Sequence, residues 1–156
     1  MVAVARACAA VFMFAAPAFA QSPTDRLFPT EAQCYARSYT EDHLADHPQQ
    51  RVTQMVLRPD RAAMAPYLGL WVGVTLRGTP GGAFEALAQC ENVEDSLYCT
   101  MEGDSGAFSI SAAKDDAVLV TVGSRGMGLE NETGFATLER DRGDDRSFLL
   151  RPVACR

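Results

Sequence analysis

The chain has 156 residues, 47% hydrophobic and 22% charged, with a net charge of −6 at pH 7. Its basic residues are nearly all arginine, Lys114 being the only lysine, and they form no patch. That excludes a surface that follows a phosphate backbone or settles on anionic lipid, so neither nucleic acid nor a membrane surface is an expected partner.

Residues 1–20 read as a signal peptide. Arg6 gives a weakly basic start, residues 7–20 are almost wholly small or apolar, and Ala18-Phe19-Ala20 is an A-x-A cleavage signature before Gln21. An apolar run of about 14 residues is short for a bilayer span, and no later stretch approaches that length, so no membrane span is expected. Cleavage near Ala20 leaves residues 21–156 as a single β domain, periplasmic or secreted. The leader carries one arginine and no acid, so the remainder has 13 basic and 20 acidic side chains, a net charge of −7.

Export changes the meaning of the cysteines. With Cys8 removed, Cys34, Cys90, Cys99 and Cys155 remain, an even count that reads as two disulfides in an oxidising compartment. Cys90 and Cys99 fall on the inward faces of adjacent predicted strands and pair with each other, leaving Cys34 for Cys155. A zinc site would want a C-x2-C pair, and none exists.

Taken in order, residues 21–29 are polar with two prolines and read as a loose leader. Residues 33–39 form a first strand carrying Cys34, although Thr30 to Gln33 also fits a capping box. A short helix follows: Thr40 is a good N-cap, Glu41 and Asp42 suit the positive end of its dipole, and Pro48 stops it. Residues 51–58 alternate as a strand, and residues 59–66 are a loop. Residues 68–77 put Leu70, Val72, Val74 and Leu76 on one face and Gly69, Trp71, Gly73 and Thr75 on the other.

The organising stretch is residues 84–122. Phe84, Ala86, Ala88 and Cys90 share a face, as do Leu97, Cys99 and Met101, then Phe108, Ile110 and Ala112; residues 117–122 are a further apolar run. Glycines at 123 and 126 mark a break before residues 127–130. Residues 131–134 are a turn, residues 135–140 a strand, residues 141–146 a charged turn, and residues 147–153 a last strand. The pattern predicts an all-β fold, a small antiparallel meander barrel of about eight strands with one short N-terminal helix; the alternative is a two-sheet β-sandwich.

Three motifs carry candidate chemistry. Gly103-Asp104-Ser105-Gly106 resembles the nucleophile motif of chymotrypsin-like serine proteases, but the family's histidine context is missing and a Gly-rich turn accounts for it. His43 and His47 stand at i and i+4 on one helical face, a spacing that lets two imidazoles reach one metal. With Asp46 between them they approximate H-x-x-E-H, without a nameable third ligand. Trp71, flanked by glycines on the face away from the core, is a candidate ligand or partner surface; the plainer reading packs it beneath the loop at residues 59–66.

The run Cys34-Tyr35-Ala36-Arg37-Ser38-Tyr39, with His43-Leu44, His47-Pro48 and Arg51-Val52-Thr53, resembles a family of small exported bacterial β-rich proteins. The ending Asp144-Asp145-Arg146, Phe148-Leu149-Leu150 and Cys155 is similar to theirs too. That family has no assigned activity or catalytic residues, so the resemblance implies export and the terminal cysteine and transfers no function.

The functional expectation is a non-enzymatic binding or envelope-associated protein, without a cofactor, whose partner is a small molecule or an envelope protein held at a barrel mouth or on the Trp71 face. The alternative is a metal-dependent enzyme built on His43 and His47.

Overall fold

The computed structural model describes residues 21–155, so the leader expected at residues 1–20 lies outside the described residues. Two short helices, α1 (Pro23–Leu27) and α2 (Glu41–Asp46), accompany nine strands. These are β1 (Gln33–Ser38), β2 (Val52–Pro59), β3 (Leu68–Leu76), β4 (Phe84–Val93), β5 (Ser96–Met101), β6 (Gly106–Ala112), β7 (Val118–Asn131), β8 (Gly134–Leu138) and β9 (Ser147–Ala154). Each of β1 to β7 pairs antiparallel with the next; β7 pairs with β9, and β9 returns to β1. The ring closes as an eight-strand antiparallel barrel. Closure rules out the sandwich alternative, since no free sheet edges divide the ring into two sheets.

The alternating pattern that predicted the strands also fills the barrel. Met55, Leu57, Leu70, Leu97, Ile110 and Phe108 are all fully buried in one interior cluster. Burial at roughly 1.5–3 kcal/mol for each large apolar side chain makes any slip of register, which would turn these residues outward, costly. The interior is therefore a packed core rather than a hollow. No helix among the described residues is long and apolar enough to cross a membrane.

Both ends of the barrel are covered, and both covers depart from the sequence reading. Residues 21–29 are not a loose leader. Ser22 caps α1 by accepting from the Asp25 backbone N–H at 3.1 Å, with Pro23 in the first turn. Leu27 and Phe28 are buried, and the Phe28 ring meets Tyr35 edge-on at 5.2 Å. Thr24 donates through its backbone N–H and its hydroxyl to Asn92 at the end of β4, and Arg26 donates to the Asp95 carbonyl in the β4–β5 turn. The helix thus plugs that end. Its apolar contribution comes from two adjacent residues, too few to show as periodicity.

At the other end, residues 118–131 form one strand rather than two. Gly126 adopts φ +79°, and the β6–β7 register shifts between Gly106 and Phe108. A side chain on Gly123 would stand 2.5 Å from the Ala107 carbonyl oxygen. The glycines thus bend the strand without ending it. Beyond the bend, β7 and β8 form a hairpin that adds Met127, Leu129, Ala136 and Leu138 to the core. Glu130 pairs with Glu85 at the start of β4, where β5 has already turned away.

Candidate functional site

Trp71 projects from the outer face of β3, opposite to Leu70 and Val72, as the alternation requires. The plainer reading, packing against the loop at residues 59–66, has direct contacts behind it. On one side the β2–β3 loop closes against Gly69: the Asp60 backbone N–H donates to the Gly69 carbonyl at 2.8 Å, and a side chain at Gly69 would stand 2.3 Å from the Asp60 carbonyl oxygen. The Asp60 carboxylate accepts from Trp71 Nε1 at 3.2 Å, and the Arg58 guanidinium lies 5.8 Å from the ring centroid. The indole is therefore fixed in orientation but remains half-buried.

On the other side the surface runs across four strands in register. Trp71 stands opposite Leu87 and Gly73 opposite Glu85; Glu85 stands opposite Glu130, and Glu130 opposite Phe135. Gly128 makes room in this row, whereas Gly73 meets its neighbour at an ordinary contact distance. Glu85 Oε1 lies 3.6 Å from where a Gly73 side chain would begin. The Phe135 ring covers Gly128, with its Cζ 2.5 Å from the position of a Cβ there. Phe135 is 63% exposed, the most exposed of the large hydrophobic residues described. Together with the turn at Glu102–Asp104, these strands enclose an open cleft of about 400 Å³ lined by Trp71, Phe135, Leu87 and the carboxylates of Glu85, Glu102 and Glu130. The arrangement offers two aromatic rings, an apolar floor and hydrogen-bond acceptors. Beyond Trp71 and the turn carrying Gly103 and Ser105 none of it was singled out in the sequence, because it depends on the bend that brings the end of β7, with β8 behind it, beside β4.

His43 and His47 do share a face of α2, but their rings stack on each other at 4.2 Å and 17°. Tyr39 stacks on His43 at 4.8 Å, and the Arg37 guanidinium lies 5.2 Å from the Tyr39 ring. His43 Nε2 lies 3.0 Å from Gln50 Oε1, and His47 Nδ1 donates to the His43 carbonyl at 2.9 Å. A metal lies near the plane of each imidazole that binds it, about 2.0–2.1 Å from the nitrogen; two near-parallel, stacked planes share no such point. Among the described residues no group of three or more His, Cys, Asp or Glu is placed to hold a metal. Thr40 caps α2 as predicted, accepting from the His43 backbone N–H at 3.3 Å. Burial, the largest influence, raises the Tyr39 phenol above its ordinary value, with Arg37 opposing and Asp145 adding to the rise.

Both disulfides pair as expected. Cys90 and Cys99 face each other across β4 and β5 inside the barrel, and Cys34 joins Cys155 beside the β1–β9 seam. Gly103 and Asp104 take φ values of +63° and +61°, so the Gly-Asp-Ser-Gly segment is a turn. Ser105 hydrogen-bonds through its carbonyl to the Gly128 backbone N–H, tying that turn to the cleft floor.

No family model matches this chain, and neither the curated proteins nor the solved structures contain a match to it.

Proposed function

We propose that this is an exported, non-enzymatic binding protein of the periplasm or cell exterior, and that its ligand surface is the cleft between Trp71 and Phe135. The observation that carries this reading is the cleft itself: an oriented, half-buried indole and a largely exposed phenylalanine facing one concave surface of about 400 Å³. That volume is in the usual range for ligand sites, roughly 300–1,000 Å³. The packed core favours this outer face over a barrel mouth. Export is supported by the leader pattern of residues 1–20 and by two disulfides, which persist in oxidising compartments. Among the described residues the histidine rings engage Gln50 and a backbone carbonyl instead of a hydroxyl or thiol, which argues against a nucleophile–histidine hydrolase.

One native mass spectrum of protein purified from the envelope fraction tests both halves. The expected mass is that of a chain beginning at Gln21 with no free thiol, carrying an adduct that is absent from a Phe135→Ala variant. An uncleaved or thiol-bearing chain would end the export reading. An adduct unaffected by Phe135→Ala would place binding elsewhere.

A further inference from the structure

We infer that the Trp71–Phe135 cleft takes an organic cation, an alkylammonium or guanidinium group seated against the two rings and neutralised by Glu85, Glu130 and Glu102. The inference rests on the reading of this cleft as a binding site and adds the chemistry of its ligand. Four features point the same way.

The lining includes three glutamates and no lysine or arginine. Glu85 and Glu130 stand directly opposite each other across β4 and β7, an arrangement of like charges that weakens a strand pair. The ion pairs among the described residues join Arg51 to Asp145, Arg61 to Glu31 and Arg142 to Glu139, so none relieves these carboxylates. The aromatic faces are the second feature, since a cation over an indole or phenyl ring is attracted by the ring's quadrupole, more strongly once desolvated. Arg58 already uses Trp71 in this way from the β2 side, which leaves the aspect toward β4 and β8 for a ligand.

Third, the carboxylates do not converge into a group able to hold a metal ion. The cleft instead suits a cation with carbon around its charge, whose methylenes or methyls lie on Leu87 and the rings while its charge reaches more than one glutamate. Fourth, the seat of the phenyl ring depends on glycine: Phe135 packs directly over Gly128, where a side chain would stand 2.5 Å from its Cζ. The chain's overall negative charge would favour the approach of such a ligand.

The experiment uses the chain's single tryptophan as its reporter. Purified protein is titrated with choline, spermidine and a short arginine-rich peptide, and separately with glucose and glutamate, while tryptophan emission and the backbone amide resonances of Gly128 and Glu130 are followed. Saturable changes are expected with the cations, weakened by salt, and none with glucose or glutamate. A response to choline or spermidine identifies free amines as the source; a response to the peptide alone identifies a protein side chain. The double variant Glu85→Gln, Glu130→Gln should bind roughly tenfold more weakly or worse, the scale of losing charge-assisted contacts. Its melting temperature should equal or exceed the parent's, because the cross-strand repulsion has gone; a merely structural role for the pair would lower it. Unchanged cation binding in that variant overturns the inference. Saturable binding of glucose or glutamate in place of the cations overturns it while leaving the cleft a binding site. No response to any probe removes both.

Discussion

Asp144 and Asp145 are neighbours in the charged turn before β9, yet Asp144 lies in solvent and Asp145 is 2% exposed. The Asp145 carboxylate accepts from the backbone N–H groups of Arg51 at 3.0 Å and Val52 at 3.1 Å, and Arg51 Nε lies 3.5 Å away. It thereby fastens the turn to the start of β2. Arg51 is half exposed, so the ion pair itself contributes little; the backbone donors are what matter. Asp145→Ala would leave two such donors unpaired, one of them buried, and should destabilise the fold by about 2–4 kcal/mol. Asp144→Ala should stay within about 0.5 kcal/mol. Urea midpoints of the two variants check this, and similar losses would show that the turn contributes as a whole rather than through Asp145. Nothing in Asp-Arg-Gly-Asp-Asp-Arg distinguishes the two acids, because the distinction is made by β2, more than ninety residues away. Trp71 was legible by contrast, since its orientation follows from the two-residue period of its own strand.

The elements divide along the same line between local and distant causes. β2, β3, β5 and β6 carry their identity in alternation, and α2 carries it in the Thr40 cap, so sequence and structure agree on them. The continuity of β7 is not local: glycine at 123 and 126 signals a break unless the neighbouring β6 is known to need the bend. α1 is similar, and its attachment can be tested. The Tyr35 hydroxyl donates to the Leu27 carbonyl at 2.7 Å and receives a hydrogen bond from Gln33 at 2.9 Å, joining β1 to the plug. Burial, the largest influence, raises the Tyr35 phenol above its ordinary value of 10.0, against the hydrogen bond from Gln33 and with the field of Asp116. The folded chain therefore holds this proton more tightly than the unfolded chain. Its contribution to stability is complete below about pH 10 and is lost as the pH rises through the higher folded value. Stability should accordingly fall at alkaline pH. Tyr35→Phe should cost about 1 kcal/mol at neutral pH, for the bond to Leu27, and flatten that fall. Denaturant midpoints measured across pH decide it: parallel alkaline declines in parent and variant would show that the Tyr35 proton is not responsible.

At the scale of the whole molecule the two disulfides act in different places. The Cys34–Cys155 bridge joins residues 121 apart beside the seam that closes the barrel, where the Cys155 backbone N–H also donates to the Ala32 carbonyl at 3.0 Å. Cys90–Cys99 joins residues 9 apart, and both sulfurs lie in the core. Loop-closure entropy gives about 4–5 kcal/mol for the first and about 2–3 kcal/mol for the second. Removing the interior pair also disturbs native packing: serine there would bury two hydroxyls, and alanine would leave space. Stability alone therefore mixes effects on the folded and unfolded states, and the denaturant slope separates them, because it follows the surface exposed on unfolding. Cys34→Ala with Cys155→Ala frees nearly the whole unfolded chain to expand, so its slope should rise as its stability falls. Cys90→Ala with Cys99→Ala releases only a short hairpin, so its slope should stay near the parent's while its midpoint drops. Equal slopes in the two double variants would mean that the terminal bridge stabilises the folded seam instead of restricting the unfolded chain.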